Sequence, residues 1–181
     1  MHFGAGPKIR WTQSLLIAAT IFATIGAALA AELTGRASVI DADTLEIHGN
    51  RIRLWGIDAP ESNQPCRSEV SLQYRCGART ADELAACIGN RPVSCKPVTL
   101  DRYGRTVASC AVNGVDLADW LVRHGLALDW PRYSFGRYSS AQDEARRSER
   151  GIWAGSFAEP RRFRECMRLG GRPAQCSDVP R

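Results

Sequence analysis

From Leu33 to Trp55 apolar and polar positions alternate in the manner of a half-buried strand pair. Leu45 and Ile47 alternate with Glu46 and His48, Gly49-Asn50 supplies a two-residue turn, and Ile52 and Leu54 then alternate with Arg51, Arg53 and Trp55. The pattern predicts a hairpin with one apolar face. Asp58-Ala59-Pro60-Glu61 ends it, because Pro60 fixes its own backbone torsion and has no amide to donate. Residues 62–76 read as a polar loop clamped by cysteines. Ala78, Ala81, Leu84, Ala85 and Ile88 recur at helical spacing, with Gly89 placed to end the helix. Val93–Leu100 and Thr106–Val112 read as strands on either side of an Asp101–Arg105 turn, and Asn113-Gly114 makes a second turn. Asp116 is placed to cap a helix running to His124, with Gly125 as its stop. Ser140-Ala141-Gln142-Asp143 has the form of a capping box for a helix ending before Gly151. Beyond Trp153 the chain reads as irregular and arginine-rich. Short strands, one helix between the third and fourth, and two closing helices predict an α+β, mainly β fold: a small closed barrel of the OB type with helices packed on it.

The first thirty residues do not share this patterning. Lys8 and Arg10 make a positive start, an uncharged apolar run extends from Leu15 to Ala30, and Ala28-Leu29-Ala30 precedes Ala31 in the small-x-small form of a cleavage site. This predicts a signal peptide over 1–30, with a periplasmic or secreted mature protein. An uncleaved anchor is the weaker alternative, because the cleavage site is well formed. No later apolar stretch is long enough to span a bilayer. The 181 residues then divide into the leader, one domain over 31–154 and an extension over 155–181, and the chain is expected to be a monomer. Losing Lys8 and Arg10 from 24 basic residues, against 19 acidic ones, lowers the formal charge from +5 to +3. Bulk charge is therefore no argument for a polyanionic partner.

An exported chain with seven cysteines points to disulfides. None shows C-x-x-C spacing, so zinc and redox roles are disfavoured. Neighbour pairing predicts Cys66 with Cys76 and Cys166 with Cys176. Cys95 and Cys110 lie in two adjacent strands and predict a cross-strand bridge. Cys87 on the first helix is left as a buried free thiol.

The candidate chemistry is a group of acids and arginines: Asp43 in Asp41-Ala42-Asp43-Thr44, then Arg53, Asp58, Glu61 and Arg105. Closing the hairpin at Gly49-Asn50 brings Asp43 and Asp58 to one end of the ribbon. Hard oxygen donors gathered there suit Ca²⁺. A guanidinium such as that of Arg53 can hold two phosphate oxygens. Cleaving a phosphodiester calls for such parts: charge neutralisation, a carboxylate to orient or deprotonate water, and fixed cations at the phosphorus. Taken singly, each acid or arginine would read as a solvated group or a surface ion pair. Asp101 and Asp116 read as turn and cap residues, His48 and His124 as surface groups, and Trp120, Trp130, Trp153 and Phe157 as core. Tyr103 is exposed by its turn and could stack on a base.

Together these segments resemble the staphylococcal nuclease (thermonuclease-like) family. The resemblance rests on Val39-Ile40-Asp41-Ala42-Asp43-Thr44, Arg53-Leu54-Trp55-Gly56-Ile57-Asp58-Ala59-Pro60-Glu61 and Asp101-Arg102-Tyr103-Gly104-Arg105, with a weaker match at Leu121–Ala127, and covers roughly 33–154. It implies a five-stranded OB-fold barrel with three packed helices and calcium-dependent hydrolysis of DNA and RNA, leaving 3′-phosphate ends. By the same resemblance Asp43 and Asp58 are the calcium carboxylates, and Ala59 supplies a backbone carbonyl where the family usually has threonine. Glu61 activates water, Arg53 and Arg105 bind the scissile phosphate, and Arg102, Tyr103 and Tyr133 contact the nucleotide. Ala42 departs from the usual glycine, and a left-handed alanine there would cost on the order of 1 kcal/mol. A non-catalytic barrel that binds nucleic acid or protein is the alternative function. A pure binder has no need of Arg53, Glu61, Arg105 and both aspartates together.

Overall fold

The alternation over Leu33–Trp55 folds as three antiparallel strands, β1 (Leu33–Asp41), β2 (Thr44–Ile47) and β3 (Asn50–Leu54), with Val39 opposite Leu45 and Leu45 opposite Ile52. The computed structural model describes residues 1–4 and 31–177, so the leader's charged start and apolar run lie outside the described residues. The β2–β3 turn falls at His48-Gly49, both at positive φ, one residue earlier than expected. Asn50 opens β3 instead, and its side-chain amide donates to the carbonyls of Ile47 and His48 at 3.3 and 3.2 Å.

The chain continues through β4 (Ile57–Asp58), the small hairpin β5 (Pro65–Arg67) and β6 (Gln73–Arg75), and α1 (Cys76–Ile88). β7 (Pro92–Leu100), β8 (Thr106–Val112) and β9 (Val115–Asp116) follow. β1 pairs with β7, β7 with β8, and β3 pairs in parallel with β8, which closes a five-stranded barrel; β9 extends β8 as an extra strand. The stripe Leu45, Ile47, Ile52 and Leu54 fills its interior with Val93, Ala108 and Val112, all at most 2% exposed. Burying each of the leucines and isoleucines contributes about 1.5–3 kcal/mol. Leu84 and Ile88 of α1 and Leu117, Leu121 and Val122 of α2 (Leu117–Arg123) join the same core. Asp116 caps α2 as its position predicts, accepting from the amides of Ala118 and Asp119.

Beyond α2 come β10 (Leu128–Asp129), which pairs with β4, then α3 (Pro131–Ser134) and α4 (Ser139–Arg147). The expected capping box at Ser140 is not used. α4 starts at Ser139 behind Tyr138, with no side-chain cap, and the Ser139 hydroxyl donates to the Gly136 carbonyl. The stretch after Trp153 is not irregular either. A 3₁₀ turn (Gly151–Ala154) leads into α5 (Pro160–Arg168) and α6 (Pro173–Ser177), so the described residues carry six α-helices where three were expected.

All three expected cysteine pairs are joined, Cys66–Cys76, Cys95–Cys110 and Cys166–Cys176, the second across directly opposed residues of β7 and β8. Cys87 is free, but half-buried rather than buried. Burial pushes its thiol pKa up against the pull of Arg91, which makes it a poor nucleophile.

The C-terminal extension is fastened to the body at separate points. The Arg67 amide donates to the Ser156 carbonyl at 2.8 Å, and the buried Gln64 side chain donates to the Ala158 carbonyl at 2.7 Å. Phe163 and Ala158 form a small core of their own with Cys176. Glycine is required at 155, where a Cβ would lie 2.1 Å from the Arg67 carbonyl oxygen. Among the described residues no helix is long and apolar enough to cross a membrane.

Candidate active site

The β1–β2 turn carries Asp41-Ala42-Asp43, and the Leu54 amide bonds to the Asp43 carbonyl at 2.8 Å, tying that turn to β3. Ala42 is buried and is not among the residues at positive φ, so the glycine-to-alanine difference carries no backbone strain. Asp43 accepts from the Thr44 hydroxyl at 2.9 Å, and its other oxygen lies 2.7 Å from an Arg53 guanidinium nitrogen. Asp58, on β4, is 3.9 Å from the same nitrogen. Both acids are almost wholly buried. Burial pushes the Asp43 carboxyl above its usual range, more than Arg53 and the Thr44 bond pull it down. Burial likewise raises Asp58, against Arg164 and then Arg53. Holding both carboxylates charged in this buried corner is therefore costly, and the neighbouring arginines offset only part of that cost.

Glu61 follows on the loop after β4. Its backbone amide donates to the Gln64 side chain at 3.2 Å, and its carbonyl sits against the first turn of α1. A Cβ on Gly77 would come within 1.9 Å of that carbonyl oxygen. Gly77→Ala is therefore expected to push the Pro60–Glu61 segment outward, at a cost of about 1–3 kcal/mol in stability by urea unfolding and with a fall in any activity that uses Glu61. An unchanged unfolding midpoint would show that the loop gives way freely.

Arg105 comes from the β7–β8 turn. Asp101 organises that turn by accepting from the amides of Tyr103 (2.8 Å) and Arg105 (2.9 Å) and from Arg105 Nε (2.7 Å). Against the cost of desolvation, these bonds from Arg105 and Tyr103 hold the Asp101 carboxyl below its usual range. Tyr103 is 68% exposed, with the guanidinium groups of Arg102 and Arg105 at 4.7 and 5.7 Å from its ring.

One open cavity of about 690 Å³ gathers these elements. Asp43, Arg53, Ala59, Glu61, Arg102, Tyr103, Arg105 and Tyr133 all line it, so eight of the nine residues singled out from sequence share one space. Asp58 is the exception: it stands behind Arg53 and under Arg164 rather than on the open wall. Trp130, expected in the core, is only half-buried and lines the cavity as well, with Tyr133 edge-on to it at 4.6 Å and Arg53 at 5.9 Å from its ring. Trp120 packs against the main core, and Trp153 and Phe157 against a second cluster around Cys66, Cys76 and Ile152. His48 and His124 are exposed, as expected.

Sequence reasoning missed Arg161 and Arg164, both on α5 and both lining the cavity. Arg164 donates from one nitrogen to Glu61 Oε1 at 2.7 Å, and from the other to Asp58 Oδ1 and Oδ2 at 2.9 and 3.2 Å. Burial works against its charge, but Glu61 and Asp58 outweigh that and raise its pKa. Pro160 at the first helical position was a legible helix signal. Nothing local marks which way Arg164 points.

The donors here suit a hard divalent cation. Two buried carboxylates and the Ala59 carbonyl are oxygen donors of the kind Ca²⁺ takes, and burial penalises the charge of both acids, a penalty a cation would relieve. Among the described residues no three His, Cys, Asp or Glu side chains cluster as a ready-made metal cage, so a cation here would rely on carbonyl and water oxygens as well.

A family model described as staphylococcal nuclease homologue matches residues 51–155. The chain is 41% identical to the succinoglycan biosynthesis protein ExoI of Rhizobium meliloti (strain 1021) over 139 residues, which cover 76% of this chain and 73% of that protein. It is 32% identical to an uncharacterized endonuclease of Escherichia coli O157:H7 over 139 residues, 73% of this chain and 83% of that protein. It is 33% identical to the staphylococcal-like nuclease CAN1 of Arabidopsis thaliana over 122 residues, 66% of this chain and 35% of that protein.

Proposed function

The chain belongs to the staphylococcal nuclease family and is a phosphodiester-cleaving hydrolase, and we propose that it is an exported, calcium-dependent enzyme acting on DNA, RNA or both. The observation that carries this reading is the convergence of three separate turns and β3 on one cavity, whose lining interleaves acids with arginines. In this reading residues 31–154 form the catalytic body and 155–181 an extension, whose described part, 155–177, is fastened to that body. Three disulfides favour an oxidising compartment and so support export after cleavage of the leader.

In this reading Arg53 and Arg105 hold the non-bridging oxygens of the scissile phosphate and offset the charge that grows there as water attacks. Glu61 orients that water and takes its proton. Arg102 and Tyr103 hold the neighbouring phosphate and base from the β7–β8 turn, and Tyr133 packs on the nucleotide from α3. Asp43, Asp58 and the Ala59 carbonyl would hold Ca²⁺, which when bound supplies further positive charge and fixes the water and phosphate relative to each other. In this reading the mature protein acts as a monomer.

The test is digestion of single- and double-stranded DNA and of RNA by the mature chain, titrated with Ca²⁺ and then with a calcium chelator, with end-group analysis. Cutting should disappear on chelation, return on adding Ca²⁺, and leave 3′-phosphates. Undiminished cutting in chelator would sink the calcium assignment. Tight binding with no cutting at any Ca²⁺ level would favour a binding module on the same barrel.

A further inference from the structure

Arg164 is the one donor, among the described residues, that reaches the Glu61 carboxylate, and it comes from outside the barrel. We infer that the C-terminal helix α5 completes the active site, with Arg164 as a positioning residue whose forked guanidinium holds Glu61 and Asp58 in their working orientation. This rests on the nuclease reading above.

Glu61 sits half-exposed on a loop, where a glutamate has three freely turning side-chain bonds. Nothing in the barrel restrains its carboxylate. Asp58 lies close by and carries the same charge, so the two repel and would turn apart if left alone. A guanidinium suits this corner because its nitrogens are fixed in one plane and can serve two carboxylates at once. The fork engages only Oε1 of Glu61. Among the described residues no donor reaches Oε2, which leaves that oxygen for a water proton. Asp58 keeps lone pairs on the sides away from Arg164.

Arg164 is itself well supported. Its neighbour Phe163 is 1% exposed in the cluster with Ala158 and Cys176, and the Cys166–Cys176 bridge ties α5 to α6. The Ser156 and Ala158 carbonyls fasten the lead-in segment to residues on either side of Cys66. Such fastening is more than an unused tail requires and is what a precise second layer behind reacting groups requires. The contrary reading makes Arg164 a plug that a divalent cation must displace from Asp58.

The two readings separate in the full mature chain with Arg164→Ala and Arg164→Lys. Each variant is assayed for kcat and KM at saturating Ca²⁺ and for Ca²⁺ binding by calorimetry, with a thermal melt as the fold control. Positioning predicts that Arg164→Ala lowers kcat about 10- to 100-fold with KM little changed and Ca²⁺ affinity no tighter. Arg164→Lys should recover only part of the loss, because one ammonium cannot take the place of the fork. Millimolar guanidinium ion should raise kcat in Arg164→Ala and leave Glu61→Ala unmoved. Tighter Ca²⁺ binding with kcat equal to or above wild type would make Arg164 a plug and overturn the inference. If the alanine variant does not fold, the lysine variant decides, and wild-type kcat in it overturns the inference too. Failure of the wild type itself to cut would strike the nuclease reading instead.

Discussion

Glu61→Ala is expected to lower kcat by about 100- to 10,000-fold, the range in which a positioned general base contributes. The loss should fall on kcat rather than KM, because Glu61 acts on the water and not on the phosphate, which Arg53 and Arg105 would still bind. The fold should survive. The side chain is about a third exposed, and the contact it loses is a single bond to Arg164, which keeps its two bonds to Asp58. An exposed or half-exposed ion pair is worth at most about 1 kcal/mol. The comparison is steady-state cutting of a defined oligonucleotide beside an unfolding curve. A folded Glu61→Ala protein with turnover within a few-fold of wild type would remove Glu61 from the mechanism and return the choice of base to the other acids of the cavity.

What could be read from the chain, and what could not, divides by the range of the interaction. Leu45, Ile47, Ile52 and Leu54 gave away the hairpin because strand periodicity is local. Asp116 was legible as a cap and Asp101 as a turn residue because each bonds to amides within four residues. The cysteine pairs were legible because two close short loops and the third joins opposed strands. The misses have equally specific causes. Asn50 moved into β3 because its side chain could satisfy two turn carbonyls from there. Ser140 looked like a cap, but Tyr138, buried and edge-on to Trp55, fixes where α4 begins. Trp130 read as core by composition alone, yet its ring forms part of the cavity wall. Arg164 lies 103 residues from Glu61 and 106 from Asp58, and no spacing rule reaches that far. Asp43, Arg53, Asp58, Glu61 and Arg105 stood out as a set by their chemistry, but each taken singly read as a solvated group, and their individual roles came only through the family's motifs. Their meeting in space depends on barrel closure by the parallel β3–β8 pairing, which periodicity cannot foresee.

Arg105→Gly is the second substitution expected to have a large effect, a fall in kcat of about 100- to 1,000-fold, as when one preorganised donor to a developing anion is removed. Its turn should persist. The bonds that shape it run between the Asp101 carboxylate and the Tyr103 and Arg105 amides, and between the Asp101 amide and the Arg105 carbonyl, and none needs the Arg105 side chain. What glycine removes is the guanidinium and its 2.7 Å bond to Asp101. That pair is partly exposed, with the Arg105 side chain at 32%. The stability loss should therefore be small, about 0.5–1 kcal/mol from added backbone freedom and at most about 1 kcal/mol from the pair. Arg105→Lys discriminates further. It keeps the charge and forfeits the fork, so a phosphate held through two oxygens should leave it much closer to glycine than to wild type. Asp101→Ala approaches the same geometry from behind: with the guanidinium intact but its Nε anchor gone, kcat should fall less than in Arg105→Gly while the turn loosens. If Arg105→Gly cuts at near the wild-type rate while Arg53→Gly does not, the scissile phosphate is held from β3 alone, and the β7–β8 turn serves the flanking nucleotides through Arg102 and Tyr103.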